Sequence, residues 1–262
     1  MRLAARFLRL AAALLAGLCT AAGAACGDQP HDKPVHLTFD TGHMGVAPLV
    51  ADVLARHGVK ATFFLADERT LSGGSSLDDE WAPWWKARAA EGHAFASHTW
   101  SHVRWLADEG AGFRMRPSAG PQAGRAGHWT AAEYCAEVER PSARFATMTG
   151  GRMARLFRAP GGKTSPALLA AARACGWSHV GWSAAGFLGD ELPSERHPNA
   201  TLLARALRDI RSGDILLAHL GIWSRKDPWA PAALEPLIVG LKERGFCFAP
   251  LRENPGQRAS AR

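Results

Sequence analysis

Between residues 35 and 249, short runs of β-forming residues alternate with stretches of helical length, and no other feature of the chain restricts its fold so tightly. Strands are expected over 35–39, 61–65, 93–97, 156–158, 178–182, 214–218 and 246–249, separated by helices over 47–56, 81–91, 166–174, about 199–210 and 232–244. Gly58, Gly92 and Gly176 stop three of these helices, and Ser165 and Pro166 supply an N-cap and a first helical residue. Strands joined through helices pair in parallel, and a parallel sheet needs helical cover. A chain of 262 residues, 47% of them apolar, suffices for one such α/β domain and is too apolar for disorder. The Gly-, Pro-, Arg- and Ser-rich segment 108–127 reads as a long surface excursion, and 70–79 as a shorter loop.

The N-terminus has a different character. Arg2, Arg6 and Arg9 precede an apolar run over 10–22 and then small residues, the layout of a secretory leader with cleavage near Ala24 or Ala25. The chain therefore divides into a signal peptide over 1–25 and one domain over 26–262. A retained anchor would want about 20 apolar residues and better flanks. No second apolar run is long enough to span a membrane, so no stable span is expected once the leader is gone. The leader takes three arginines and no acid with it, lowering the formal charge from +7 to +4, too mild an excess to argue for nucleic acid. Four of the five cysteines remain, Cys26, Cys135, Cys175 and Cys247, in a compartment where disulfides persist. Cys26 precedes the first strand and Cys247 lies in the last. A closed barrel joins those ends, which suggests Cys26–Cys247 and Cys135–Cys175; free thiols are the alternative.

Functional groups in parallel α/β folds gather at the carboxyl ends of the strands, where loops vary over a rigid scaffold. Here those ends carry Asp40 with Thr41 and His43, then His98 and His102, then Arg158 and Gly161, and finally Leu217 and His219. His98 and His102 stand four apart, so one helical turn would point both rings at a single metal ion. Among eleven histidines an HxxxH pair carries little alone; its value lies in the company it keeps. His36, His57, His93, His128, His179 and His197 have no metal spacing and read as structural or exposed.

Taken in order, these segments resemble the polysaccharide deacetylases of the NodB-homology family, carbohydrate esterase family 4. The motif TFDDG corresponds to Thr38–Gly42 with Thr41 in place of the second aspartate, and H(S/T)xxH to His98, Thr99 and His102. RxPxG is matched loosely by Arg158, Pro160 and Gly162, and LxH by Leu217 and His219. The resemblance implies a distorted (β/α) barrel in a single domain and a hydrolase that removes acetyl groups from an N-acetylated carbohydrate with one divalent metal, zinc first and cobalt or nickel next. It further implies Asp40 as general base, His219 as general acid and Arg158 as the partner that orients Asp40. Leu217 would line the acetyl slot, the Gly161 amide would face the developing oxyanion, and Trp182 and Trp223 would contact sugar. Of the family's acidic motif ending in Asp-Trp, which supports the arginine, Asp190 is the counterpart, followed by Glu191 instead of tryptophan; Trp100, Trp182, Trp223 or Trp229 would supply the missing aromatic wall.

Thr41 leaves the third ligand beside His98 and His102 open. Asp40 itself is the favoured candidate; His43, or an acid such as Asp67, Glu68 or Asp78, or a water beside Thr41 are the others. A carboxylate that ligates tightly is a poor free base, so the first option displaces part of the base's work. Two other functions fit the same residues: an amidase for a small amide, and a glycan-binding protein without activity. Oligomeric state, and whether the chain is free or tethered, are not legible.

Overall fold

The structure, a computed structural model, describes Cys26 and residues 31–252. The leader expected over 1–25 lies outside the described residues. In chain order the elements are β1 (Lys33–Asp40), α1 (Ala47–Arg56), β2 (Thr62–Leu65), α2 (Ala82–Ala90), β3 (Ala94–Ser97), β4 (Val103–Glu109), β5 (Gly112–Pro117), β6 (Gly127–Trp129), α3 (Ala131–Thr149), β7 (Leu156–Phe157), α4 (Pro166–Ala174), β8 (Ser178–His179), α5 (Asn199–Asp209), β9 (Ile215–His219), α6 (Leu234–Glu243) and β10 (Phe246–Phe248).

The main sheet is parallel and runs β10-β1-β2-β3-β7-β8, with β9 also paired to β1. β1 serves three partners because its first residues pair with β10 and its later ones with β9 and β2. The curl nearly closes. Beyond β8 the chain crosses to β9, where Ser183 N donates to Ile215 O at 3.1 Å, Leu217 N donates to Gly186 O at 2.9 Å, and Phe187 bridges Leu217 in parallel. An irregular segment in place of a regular strand at this seam makes the barrel a distorted one.

Alternation along β1 decides what faces where. Val35, Leu37 and Phe39 join the large core with Leu54 of α1 and Leu237, Ile238 and Leu241 of α6, while Thr38 and Asp40 point the other way. That other face also carries Phe64 of β2 and Ala96 of β3, a small cluster of its own. The interior is therefore where strand-end polar groups meet. Both expected disulfides form: Cys26–Cys247 ties the start of the domain to β10, and Cys135–Cys175 ties the first turn of α3 to the end of α4.

Two regions depart from the sequence reading. The excursion is no loop: β4, β5 and β6 form an antiparallel sheet, with Phe113, Met115 and Pro117 inward and Arg114 and Arg116 outward. Glycines and prolines at its turns hide a period of two that is present in 112–117. The second departure is α3, at 19 residues the longest helix among the described residues and not anticipated at all. It opens with a capping box, in which Thr130 and Glu133 satisfy each other's backbone N–H groups, and closes on Gly150 in the left-handed conformation. Pro141 inside it and a sparse apolar face of Tyr134, Val138 and Phe145 obscure the helical pattern.

Candidate active site

Asp40 ends β1 with its carboxylate buried. Arg158, fully enclosed, donates from Nη1 to Asp40 Oδ1 at 2.7 Å. Its Nη2 donates to Gly181 O at 3.1 Å and its Nε to Val180 O at 3.4 Å, and its guanidinium lies over the Phe64 ring at 4.0 Å. Burial alone would raise the Asp40 carboxyl, but Arg158, His98 and His219 together hold it below the usual carboxylate range. Asp40 is thus ionised, with one oxygen clamped and the other facing His98 Nε2 at 3.3 Å.

His98 and His102 do approach each other, with ring centroids 4.8 Å apart. They do so without a helical turn. Residues 99 and 102 have φ of +62° and +48°, left-handed values that are rare for a β-branched residue such as Thr99. The surroundings over-determine this turn: Thr99 Oγ1 accepts from Val103 N at 2.9 Å, Thr99 N donates to Ser97 Oγ at 3.2 Å, and Trp100 N donates to Glu137 O at 3.0 Å. Both the Ser101 amide and its hydroxyl donate to the Glu137 carboxylate. Sequence reasoning missed Glu137 because it missed α3.

Hydrogen bonds set the tautomer of each ring. His98 Nδ1 donates to Arg158 O at 2.9 Å. The Ser118 hydroxyl donates to His102 O at 2.9 Å, so its oxygen accepts from His102 Nδ1. Both Nε2 atoms are left as lone pairs, and burial pushes both imidazoles down, His102 to about 4, so the rings are neutral. This is the state in which histidine binds a metal. A neutral Nε2 facing the ionised Asp40 at 3.3 Å sets lone pair against lone pair, an arrangement that a cation between them relieves. The donor chemistry therefore fits a divalent ion. Among the described residues, no three His, Cys, Asp or Glu side chains already converge closely enough to enclose one.

His219, the last residue of β9, faces a different partner. Its Nδ1 lies 3.0 Å from Asp190 Oδ1, and its backbone N donates to Asp190 Oδ2 at 2.7 Å. Burial would lower this imidazole, but Asp190, helped by Asp40, raises it to about 9. Asp190 thus supports the histidine and not the arginine, a correction to the sequence reading: both of its oxygens are engaged by His219, and among the described residues Arg158 bonds Asp40, Val180 and Gly181 instead.

Thr41 does not stand alone. Its hydroxyl donates to Glu68 Oε2 at 2.6 Å and accepts from Ala66 N at 3.2 Å, and Gly42 N donates to Glu68 Oε2 at 2.7 Å. Gly42 could be nothing larger, since a Cβ there would lie 2.1 Å from Gly221 O. Of the other candidates for the open ligand position, His43 accepts from Gly45 N at 3.0 Å and packs edge-on against Trp223, outside the main cavity. Asp67 and Asp78 both accept from Ser75 and brace the loop.

One cavity of about 630 Å³ takes in Asp40, Glu68, His98, His102, Gly161, Leu217 and His219. Trp182 and Trp223 line it, Trp182 against Gly162 and Trp223 at the rim, 55% exposed with the Arg69 guanidinium 5.0 Å from its ring. Trp100 and Trp229 pack into the core and do not reach it. An anionic carboxylate and a cationic histidine on one cavity, beside two neutral imidazoles and an apolar slot, can move a proton in at one side and out at the other.

The family model described as polysaccharide deacetylase matches residues 27–180. A chitooligosaccharide deacetylase of Azorhizobium caulinodans is 26% identical over 238 residues, 84% of this chain and 94% of the relative. In fold the chain is similar to a family 4 acetyl xylan esterase from Clostridium thermocellum solved with a cobalt ion, at TM-score 0.64 and 24% identity over 83% of this chain and 88% of that one. It is also similar to a CE4 family pseudoenzyme from Bacillus anthracis, at TM-score 0.61 and 20% identity over 85% and 65%.

Proposed function

The chain belongs to the polysaccharide deacetylase family, and from that premise we propose that it is a metal-dependent hydrolase removing N-acetyl groups from an amino-sugar polymer or oligomer that is chitin-like, peptidoglycan or exopolysaccharide. The observation that carries this reading is the opposed pair on one cavity, Asp40 held ionised by Arg158 and His219 held cationic by Asp190. Amide hydrolysis needs both, a base for the water and an acid for the departing amine.

Held by the Nε2 atoms of His98 and His102, a divalent ion, zinc first and cobalt or nickel next, would polarise the acetyl carbonyl and acidify water. The remaining work belongs to the chain. Asp40 accepts the water's proton at Oδ2, since Arg158 occupies Oδ1. Hydroxide oxygen bonds to the acetyl carbon and the carbon–nitrogen bond breaks, giving acetate and a free amine. His219 donates from Nε2 to the leaving nitrogen, because its Nδ1 faces Asp190. Leu217 receives the acetyl methyl, the Gly161 amide faces the developing oxyanion, and Trp182 and Trp223 offer faces to sugar rings.

Acetate release from N-acetylated chitooligosaccharides and from peptidoglycan, with and without chelator, tests the proposal. Activity is expected to vanish with chelator and in Asp40→Ala, His98→Ala and His219→Ala; its retention in all of them refutes the reading. Thr41, where the family has a carboxylate, motivates the second reading of a glycan-binding protein without turnover. That reading requires sugar binding with no acetate released from any of these polymers. We further infer export, supported by the leader pattern and the two disulfides. Among the described residues no helix is long and apolar enough to cross a membrane.

A further inference from the structure

We propose that Glu68 supplies the carboxylate that position 41 lacks and is the third protein ligand of the metal, beside His98 and His102. The inference rests on the metal-dependent reading above and names a residue outside the family's motifs.

The first observation is where the carboxylate sits. Glu68 comes from the loop after β2, yet its Oε2 is bound by Thr41 Oγ1 at 2.6 Å and Gly42 N at 2.7 Å. It is therefore pinned at the end of β1, at the two residues that follow Asp40, where the family's second aspartate would project. Thr41 acts as a clamp: it takes a hydrogen bond from Ala66 N at 3.2 Å and gives one to Glu68.

The second observation is what the carboxylate lacks. Its Oε1 accepts no hydrogen bond among the described residues, and no lysine or arginine pairs with Glu68 there. A half-buried anion with one idle oxygen lines the same cavity as two imidazoles whose Nε2 lone pairs are idle. Groups of this kind repel one another unless a cation lies among them. Two imidazoles and one carboxylate with a further position open are the donor set of a catalytic zinc site. An ion drawn between them supplies the attraction that brings the three to coordination distance.

The third observation is the loop itself, built around this residue. Buried Ser76 donates from Oγ to Ala66 O at 2.5 Å, accepts from Glu68 N at 3.0 Å, and gives its own N–H to Glu68 O at 2.8 Å. Asp67 and Asp78 are engaged by Ser75 and His43 by Gly45, away from the histidine pair, while Asp40 is held at Oδ1 by Arg158 and keeps only Oδ2 toward His98. Assigning Glu68 to the metal also leaves Asp40 free to act as the base, which a tightly ligating Asp40 would not be.

The test is calorimetric titration of zinc ion alone into chelator-stripped protein, with thermal denaturation of each zinc-free variant to establish folding. Wild type binds one equivalent. Glu68→Gln keeps the shape and the hydrogen-bond acceptor but loses the charge, and its zinc affinity is expected to fall by about 100-fold or more, beyond the roughly 10–100-fold cost of removing a group that merely supports a ligand. Adding Thr41→Asp to Glu68→Gln returns the carboxylate to the family's own position and is expected to regain at least about tenfold. A smaller loss in Glu68→Gln, or a folded double variant that regains nothing, overturns the assignment. If His98→Ala loses zinc while Glu68→Gln does not, only Glu68 is wrong; if wild type itself takes up no zinc, the metal-dependent reading falls with it.

Discussion

Replacing Asp190 with asparagine should move the alkaline limb of activity, because His219 owes its proton chiefly to that carboxylate. The imidazole stands at about 9 against an ordinary 6.5, a difference worth about 3 kcal/mol of preference for the charged ring. Burial acts in the opposite direction, so without the Asp190 anion the ring falls from about 9 back toward its ordinary range, with Asp40 and Glu191 left to oppose burial. The sign follows directly. A group that must donate a proton is competent below its pKa, so activity in the wild type persists until pH rises through about 9. A ring returned to its ordinary 6.5 in Asp190→Asn would be protonated in only about one molecule in ten at about pH 7.5. The expected result is a loss of kcat/KM of at least about tenfold at that pH, shrinking to a few-fold near pH 6. A bound dication nearby would shift both proteins downward together, so the gap between the two profiles is the quantity to measure. Acetate release from an N-acetylated chitooligosaccharide, followed from about pH 5.5 to 10, supplies it. A variant whose alkaline limb overlays that of the wild type, or whose loss is the same at every pH, refutes the reasoning.

Arg158→Ala leaves the Asp40 carboxylate uncompensated in a buried site and should cost about 3–5 kcal/mol in denaturant unfolding, far more than a surface pair would. Ser118→Ala removes the acceptor that holds the His102 tautomer and should weaken zinc binding about 10–100-fold in calorimetric titration while the melting temperature of zinc-free protein stays near wild type. Exchanging Cys135 and Cys175 for serine should lower stability by about 2–4 kcal/mol, read as a shift of the unfolding midpoint.

Which parts of this site were legible in the sequence follows from the range of the forces involved. Asp40, His98, His102, Arg158 and His219 were visible because strand ends are local features and the chemistry at them is carried by single residue types. Glu68 was legible only as one of several acids near Thr41. Nothing local distinguishes it from Asp67 or Asp78, and the distinction comes from bonds across 26 and 27 residues of chain to Gly42 and Thr41. That Asp190 pairs with His219 and not with Arg158 was not legible, since no sequence pattern reports which strand-end group the segment after β8 brings its carboxylate against. The two histidine rings do meet, but not for the reason their spacing gave. Four-residue spacing suggested a helix, whereas backbone strain at residues 99 and 102, held down by Glu137, brings the rings together. The capping box at Thr130 and Glu133 was the one available sign of α3, and overlooking it removed Glu137 and the anchor of the histidine turn from view.

That anchor has a consequence for how the protein is handled. Glu137 lies two residues beyond Cys135, whose bond to Cys175 fastens the opening turn of α3 to α4. Oxidation of a thiol pair remote from the cavity thereby stiffens the helix that grips the turn carrying both imidazoles. Material folded in a reducing cytosol would have the complete amino-acid sequence and a slacker grip on those rings. Side-by-side zinc titration of oxidised and reduced batches would show how far a maker of this protein must control the redox history of the preparation.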